Sequence, residues 1–163
     1  MIIAILSDSH DNIWNLRKAL DLARDNQAGA IIHCGDLISP FMMKELSAFP
    51  GPGHCVFGNN DGDIHTLTKK VATEWTNITL HGVIGHVDLD GFAISFSHYK
   101  EAALGMAAAQ NADLACYGHS HQVEVTQNGR LTIINPGEVM GLHGRPTFYL
   151  YDTATRAATE IRL

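Results

Sequence analysis

The chain has 163 residues, 45% of them hydrophobic and 17% charged, with a formal charge of −6. This is the balance of one globular domain (residues 1–163) with a sizeable core, and it excludes disorder. There is no Lys/Arg stripe and no run of about 20 apolar residues, so neither a nucleic-acid partner nor a membrane span is expected.

Ile2 to Leu6 is a continuous apolar run, the pattern of a strand covered on both faces and too short for a signal peptide. After the polar turn Ser7–Asn12, Ile13, Leu16, Leu20 and Ala23 recur at helical spacing to about Asn26. Ala30–Cys34 predicts a second buried strand. Ser39-Pro40, an N-cap followed by proline, opens a second helix that runs to about Phe49. His54–Phe57 is a third strand, so the opening order implies parallel strands with right-handed crossovers. No element is predicted between the loop that ends at Asp63 and Ile78. Strands follow at Ile78–Leu80, Val83–Leu89 and Phe92–Ser97, then an alanine-rich helix over Lys100–Gln110. Leu114–Tyr117, Gln122–Thr126, Leu131–Ile134, Thr147–Tyr151 and Ala158–Arg162 read as further strands, with hairpin turns at Asp90-Gly91 and Asn128-Gly129. An α/β first half before a mostly antiparallel second half predicts two stacked sheets with helices outside. Three cysteines (Cys34, Cys55, Cys116), an odd number without framework spacing, predict reduced thiols and a cytoplasmic address.

Ten histidines are many for this length, and their placement is ordered. Asp8-Ser9-His10 follows the first strand, Asp36 the second and Asn59 the third. His98 follows Phe92–Ser97, and Gly118-His119-Ser120-His121 follows Leu114–Tyr117. In α/β sheets the edge beyond the strands' carboxyl ends is where ligands bind. Taken singly the motifs are weak, since composition alone gives about 0.7 Asp-x-His matches by chance. A decoy, Asp63-Ile64-His65, is rejected because it does not follow a strand end. The set as a whole suits a pair of divalent cations. A carboxylate can bridge two ions about 3.5–4 Å apart, imidazoles add affinity without charge, and an Asn carbonyl is a weak ligand that can share the site with substrate. Two carboxylates and two divalent ions leave two positive charges over, which would draw a phosphate to an otherwise acidic chain. The expected reaction is in-line attack on phosphorus by a hydroxide bridging the ions.

In that order, Asp8-x-His10, Gly35-Asp36, Gly58-Asn59-x-Asp61, His98 and Gly118-His119-x-His121 resemble the calcineurin-like metallophosphoesterase superfamily. The short length and the starting strand are similar to its small bacterial and archaeal phosphodiesterase branch. The resemblance implies an α/β fold, an αββα sandwich of two stacked mixed sheets flanked by helices. It implies one metal on Asp8, His10 and His121, another on Asn59, His98 and His119, and Asp36 bridging them. Asp36, Asn59 and His98 would then form the catalytic set, with Asp61 orienting a ligand or serving only as a turn residue. The two divalent ions are expected to be manganese first, with Fe, Zn, Ni or Co fitting the same donors. The activity implied is hydrolysis of a small phosphoester, a diester before a monoester; homo-oligomer formation stays open. A non-catalytic scaffold resembling the retromer subunit of this fold is the alternative, and a complete ligand set favours the enzyme.

Asn60 stands where many members carry a histidine, and an amide cannot act as a general acid. His98 is followed by Tyr99 instead of a Gly-His pair, and Ser39 stands where the purple phosphatases carry Tyr. Asn135-Pro136-Gly137 matches a turn near the metal rim, and Glu138 replaces the usual small hydroxyl residue there. His143 and Arg145 lie in the following Gly-rich loop, within expected reach of the phosphate. His33 and His54 are expected to be packed or edge residues. His81 and His86 are expected to be solvated beside a turn.

Overall fold

A computed structural model describes all 163 residues as two stacked β-sheets flanked by helices. The first strand, β1 (Ile2–Leu6), pairs in parallel with β2 (Ala30–His33), which pairs with β3 (Gly53–Cys55) and through it with β4 (Ile78–Leu80). Alternation along β1 divides the core. Ala4 and Leu6 face the helices, while Ile3 and Ile5 face the opposite sheet. The helices on the outer face are α1 (Ile13–Asp25), α2 (Pro40–Ser47) and α3 (Ile64–Thr73). Leu16, Leu20, Met42, Leu46 and Leu67 from those helices fill one apolar cluster with Ala4, Leu6 and Ile31.

The second sheet runs β5 (Ile84–Leu89), β6 (Phe92–Ser97), β7 (Leu114–Cys116), β9 (Leu131–Pro136), β8 (Val123–Asn128), and α4 (Lys100–Gln110) covers it through Ala103 and Ala107. Ile94, Phe96, Leu114, Cys116 and Ile134 meet Ile3, Ile5 and Ile32 between the sheets. The last two strands, β10 (Thr147–Asp152) and β11 (Ala157–Arg162), return to the first sheet, where β10 pairs antiparallel with β1.

The second half is mostly antiparallel as expected, in the pairs β5–β6, β8–β9, β1–β10 and β10–β11, although β6, β7 and β9 are mutually parallel. Two expectations are corrected. α3 occupies the stretch where no element was predicted. Asp63, the rejected decoy's carboxylate, caps it by accepting a hydrogen bond from the Thr66 amide at 3.2 Å. Its signal is faint because only Leu67 is fully buried and three threonines lower its propensity. The β8–β9 loop is Gly129-Arg130, one residue beyond the expected turn, with Asn128 still paired to Leu131.

Candidate metal centre

Five strand ends converge on one rim. Asp8 and His10 leave β1, Asp36 follows β2, Asn59 follows β3, His98 ends β6, and His119 and His121 follow β7. Five of these seven residues hold a left-handed backbone: Asp8 (φ 53°), His10 (39°), Asp36 (56°), His119 (68°) and His121 (59°). Such conformations are strained for non-glycine residues, and their concentration at one place marks a functional constraint. The glycines before them serve close approach. A methyl group on Gly58 would overlap the Asp36 carboxylate, and one on Gly118 would overlap Ser7 Oγ and Asp8 Oδ2.

The donor atoms face inward. Asp36 Oδ2 lies 3.4 Å from His10 Nε2 and 3.5 Å from His98 Nε2, between the two imidazole groups. Asp8 Oδ1 lies 3.7 Å from His10 Nε2 and 3.5 Å from His121 Nε2. His98 Nε2 is 2.9 Å from Asn59 Oδ1 and 3.2 Å from His119 Nδ1. Ligands sharing one cation with bonds of about 2.0–2.2 Å stand roughly 3.0–3.6 Å apart, so the residues fit metal ions without rearrangement of the backbone.

Tautomers sharpen the test. His98 Nδ1–H donates to the Cys34 carbonyl at 2.9 Å, which leaves a lone pair on Nε2 facing Asn59 Oδ1, His119 and Asp36. His121 Nδ1–H donates to Glu138 Oε2 at 2.6 Å, leaving its Nε2 lone pair toward Asp8. Asp8 Oδ1 and His10 Nε2 are buried and have no hydrogen-bond partner. Acceptors that face one another in a buried site repel unless a cation lies among them. Burial alone would raise Asp8, but the neighbouring His10 ring and the Ser7 hydroxyl hold it below the ordinary carboxylate value. Asp8, with Asp36 and Asp61, raises His10, so the surroundings favour positive charge here.

Supporting residues lie one layer out. Asp61 accepts four backbone N–H bonds, from Asp36 (3.0 Å), Leu37 (2.9 Å), Ile38 (2.7 Å) and Gly58 (2.6 Å). It ties the Asp36 turn, including Ile38 at φ 82°, to the Asn59 turn. Asn60 donates to both oxygens of Asp36, from its backbone at 2.8 Å and its amide at 2.7 Å. Glu138 is 1% exposed and is the residue whose role the sequence left unread. Besides His121 it accepts from the backbone N–H of His143 (2.6 Å) and Gly144 (2.8 Å). The His143 ring packs edge-on against His121 with centroids 5.0 Å apart, while Arg145 follows it on the surface. Asn135 donates to the Gly118 carbonyl at 2.9 Å and to Ser120 Oγ at 3.0 Å, fixing the turn that carries His119 and His121.

The other histidines separate. His33 is fully buried, accepts the Gly35 N–H at Nδ1 (3.3 Å) and meets Ser9 Oγ at 3.2 Å; burial lowers it to about 4. His54 faces the second sheet, and burial lowers it also to about 4. His81 and His86 are not simply solvated as expected. His81 Nε2 contacts His54 Nδ1 at 3.1 Å and packs on Phe96, and His86 contacts Ser95 Oγ at 2.9 Å, because β5 folds back over this edge. His65 lies exposed on α3, and Ser39 donates to Asp11 instead of capping α2. The three cysteines are free and buried, and burial raises the Cys34 and Cys55 thiols, which keeps them protonated.

The profile of the calcineurin-like phosphoesterase superfamily domain matches residues 1–156. The chain belongs to this superfamily. Across all of its length and 99% of the relative's, the chain is 34% identical to a phosphodiesterase of Methanocaldococcus jannaschii. It is 26% identical to a probable metallophosphoesterase of Methanothermobacter thermautotrophicus, over 84% of this chain and 76% of the relative. Among solved structures, a novel archaeal phosphodiesterase superposes with a TM-score of 0.88 at 32% identity, covering both chains completely. Vps29 of Chaetomium thermophilum superposes at 0.73 with 15% identity, over 100% of this chain and 94% of the other. At that identity the likeness to Vps29 is one of fold alone. Superfamily membership implies divalent metals, and the inward-facing donors described above suit them. No helix is long and apolar enough to cross a membrane.

Proposed function

We propose that the chain is a dinuclear metal-dependent phosphodiesterase that acts on a small phosphodiester by in-line displacement at phosphorus. The observation that supports this reading is the convergence of donor atoms from Asp8, His10, Asp36, Asn59, His98, His119 and His121, each 2.9–3.7 Å from a neighbouring donor, with Asp8 Oδ1 and His10 Nε2 buried and without a hydrogen-bond partner. Asp8, His10 and His121 would hold one ion and Asn59, His98 and His119 the other, with Asp36 common to both. Divalent ions bound there supply Lewis acidity, which ionises water near neutral pH and neutralises charge growing on the phosphoryl oxygens. Mixed nitrogen and oxygen donors fit Mn, Fe, Zn, Ni or Co, and availability decides among them, with manganese the first expected.

The chain's own residues do the rest. Asp61 and Asn60 fix Asp36 between the two donor sets, and Glu138 fixes the ring of His121. Asn60 can donate a hydrogen bond to a phosphoryl oxygen but has no proton to give a leaving group. The His143 imidazole packs against the His121 ring at the exposed edge of the site, and Arg145 brings a fixed positive charge to the same loop. Preference for diesters is supported by the full-length likeness to an archaeal phosphodiesterase. A scaffold role needs no such converging donors, and nothing in the geometry favours it.

The test is turnover of bis(p-nitrophenyl) phosphate and p-nitrophenyl phosphate before chelation, after it, and after Mn²⁺ is returned. Loss and recovery, with the diester preferred, are expected. Undiminished turnover after proven metal removal would exclude the mechanism.

A further inference from the structure

Beside the metal centre the two sheets open into a polar cleft of about 380 Å³, within the usual range of ligand sites. Its walls come from the start of β8 (Gln122, Val123), the start of β10, and the end of β11 (Glu160, Arg162), and the loop carrying His143 and Arg145 closes it. His121 belongs to both the cleft and the metal centre, so the two are one continuous surface.

The cleft has the wrong charge for its surroundings. The chain carries −6 overall, yet the lining sets Arg145 and Arg162 against one carboxylate, Glu160, with the buried Glu138 behind His121 and His143. Arg162 holds Glu160 ionised through a bond from Nε to Oε1 at 2.5 Å, while Tyr149 Oη donates to Oε2 at 3.3 Å, and both Nη groups of Arg162 are left without a protein partner. Arg145 forms no salt bridge, and the Gln122 side-chain amide also makes no protein hydrogen bond. The N–H donors of Arg145, Arg162 and Gln122 lie along one concave surface. Planar guanidinium groups are the side chains best matched to carboxylate and phosphate oxygens. The loop is preorganised as well. Glu138, buried, holds the N–H groups of His143 and Gly144, so Arg145 stands on an anchored backbone and less ordering is lost on binding.

We propose that this cleft anchors the arm of the substrate that does not react, and that the preferred substrates are phosphodiesters carrying a second anionic group, a carboxylate or a phosphate. This rests on the phosphoesterase reading above and narrows it to a substrate class. Arg145 and Arg162 act as specificity residues that grip the distal anion while the scissile phosphate lies over the metal centre.

The test compares p-nitrophenyl phosphodiesters with the same leaving group whose other arm is ethyl, 2-carboxyethyl or 2-phosphoethyl. The metal-loaded protein should favour the two charged arms over ethyl in kcat/KM by about tenfold, mainly through KM, as charge-assisted contacts imply. The ratio should fall towards one in Arg145→Ala, in Arg162→Ala and in their double variant. It should also shrink between about 0.01 and 1 M salt, over which the screening length falls from roughly 30 to 3 Å. Equal kcat/KM for all three esters in the wild type, or an unchanged ratio in the double variant, overturns the inference and leaves the phosphoesterase reading standing. Stimulation of ethyl-ester turnover by free inorganic phosphate to the level of the charged esters would make the cleft an effector site, and also overturns it. No turnover of any ester with metals bound defeats both readings.

Discussion

Replacing Glu138 by glutamine isolates one contact between the metal centre and the substrate loop. The carboxylate is buried and accepts three hydrogen bonds, one from His121 and two from the loop backbone. Glutamine keeps the shape but offers only one acceptor oxygen. If its NH₂ group faces His121, the imidazole must move its proton to Nε2, where the lone pair toward Asp8 is needed for a metal. If its NH₂ group faces the loop, the N–H groups of His143 and Gly144 lose their acceptor. One buried donor left unpaired costs about 1–3 kcal/mol. Loss of a carboxylate partner from a ligating histidine costs about 10–100-fold in metal affinity, which is the same range. The assay is competition for Mn²⁺ or Zn²⁺ against a chelating dye. One of two ions should weaken by about 10–100-fold, and the ion on Asn59, His98 and His119 should keep its affinity. Unchanged affinity for both ions would refute the assigned role, and equal weakening of both would point to general unfolding of the rim.

Asp36→Asn should lower turnover more than Asn59→Ala, since one carboxylate serves both donor sets and the amide serves one; steady-state kinetics at saturating metal decide this. Asp61→Asn should lose stability as well as activity, because either pair of its four N–H partners must face an NH₂ group. A loss of roughly 2–4 kcal/mol in urea unfolding is expected. With Asn60 in place of an imidazole, aryl diesters should be cleaved much faster than alkyl ones. Asn60→His should flatten that dependence and His143→Ala steepen it, measured as kcat/KM against leaving-group pKa. His33 and His54 are lowered to about 4 by burial, whereas unfolded imidazoles protonate near 6.5. The unfolded state therefore binds more protons between these values, so stability is full above about pH 6.5 and falls towards pH 4, by up to about 3 kcal/mol for His33 and by less for His54, which is less completely buried and more screened by solvent. Unfolding midpoints that stay flat over that range would contradict the burial of both rings.

Much of this site is legible in the sequence because each candidate ligand stands just past an apolar run. The β1, β2, β3, β6 and β7 patterns fix five strand ends, and parallel neighbours bring those ends to one rim. What stays hidden depends on distant partners. Glu138 is visible as an unusual residue after Asn135-Pro136-Gly137, but its bond to His121 forms only when β9 lies beside β7. His54 and His81 pair across 27 residues, and no local pattern announces it. The return of β10 and β11 to the first sheet, and the left-handed backbone at five ligand positions, are likewise products of tertiary assembly. α3 failed to show because the residues that signal it also read as a Gly-Asp turn.

The central claim is that Asp36 joins two ions in one centre, and electron paramagnetic resonance of the Mn²⁺-loaded protein tests it most directly. The account predicts about two ions per chain with the spectrum of an exchange-coupled pair, and loss of that coupling in Asp36→Asn. A single ion per chain, or two ions whose spectra are those of isolated Mn²⁺ in the wild type, would contradict it.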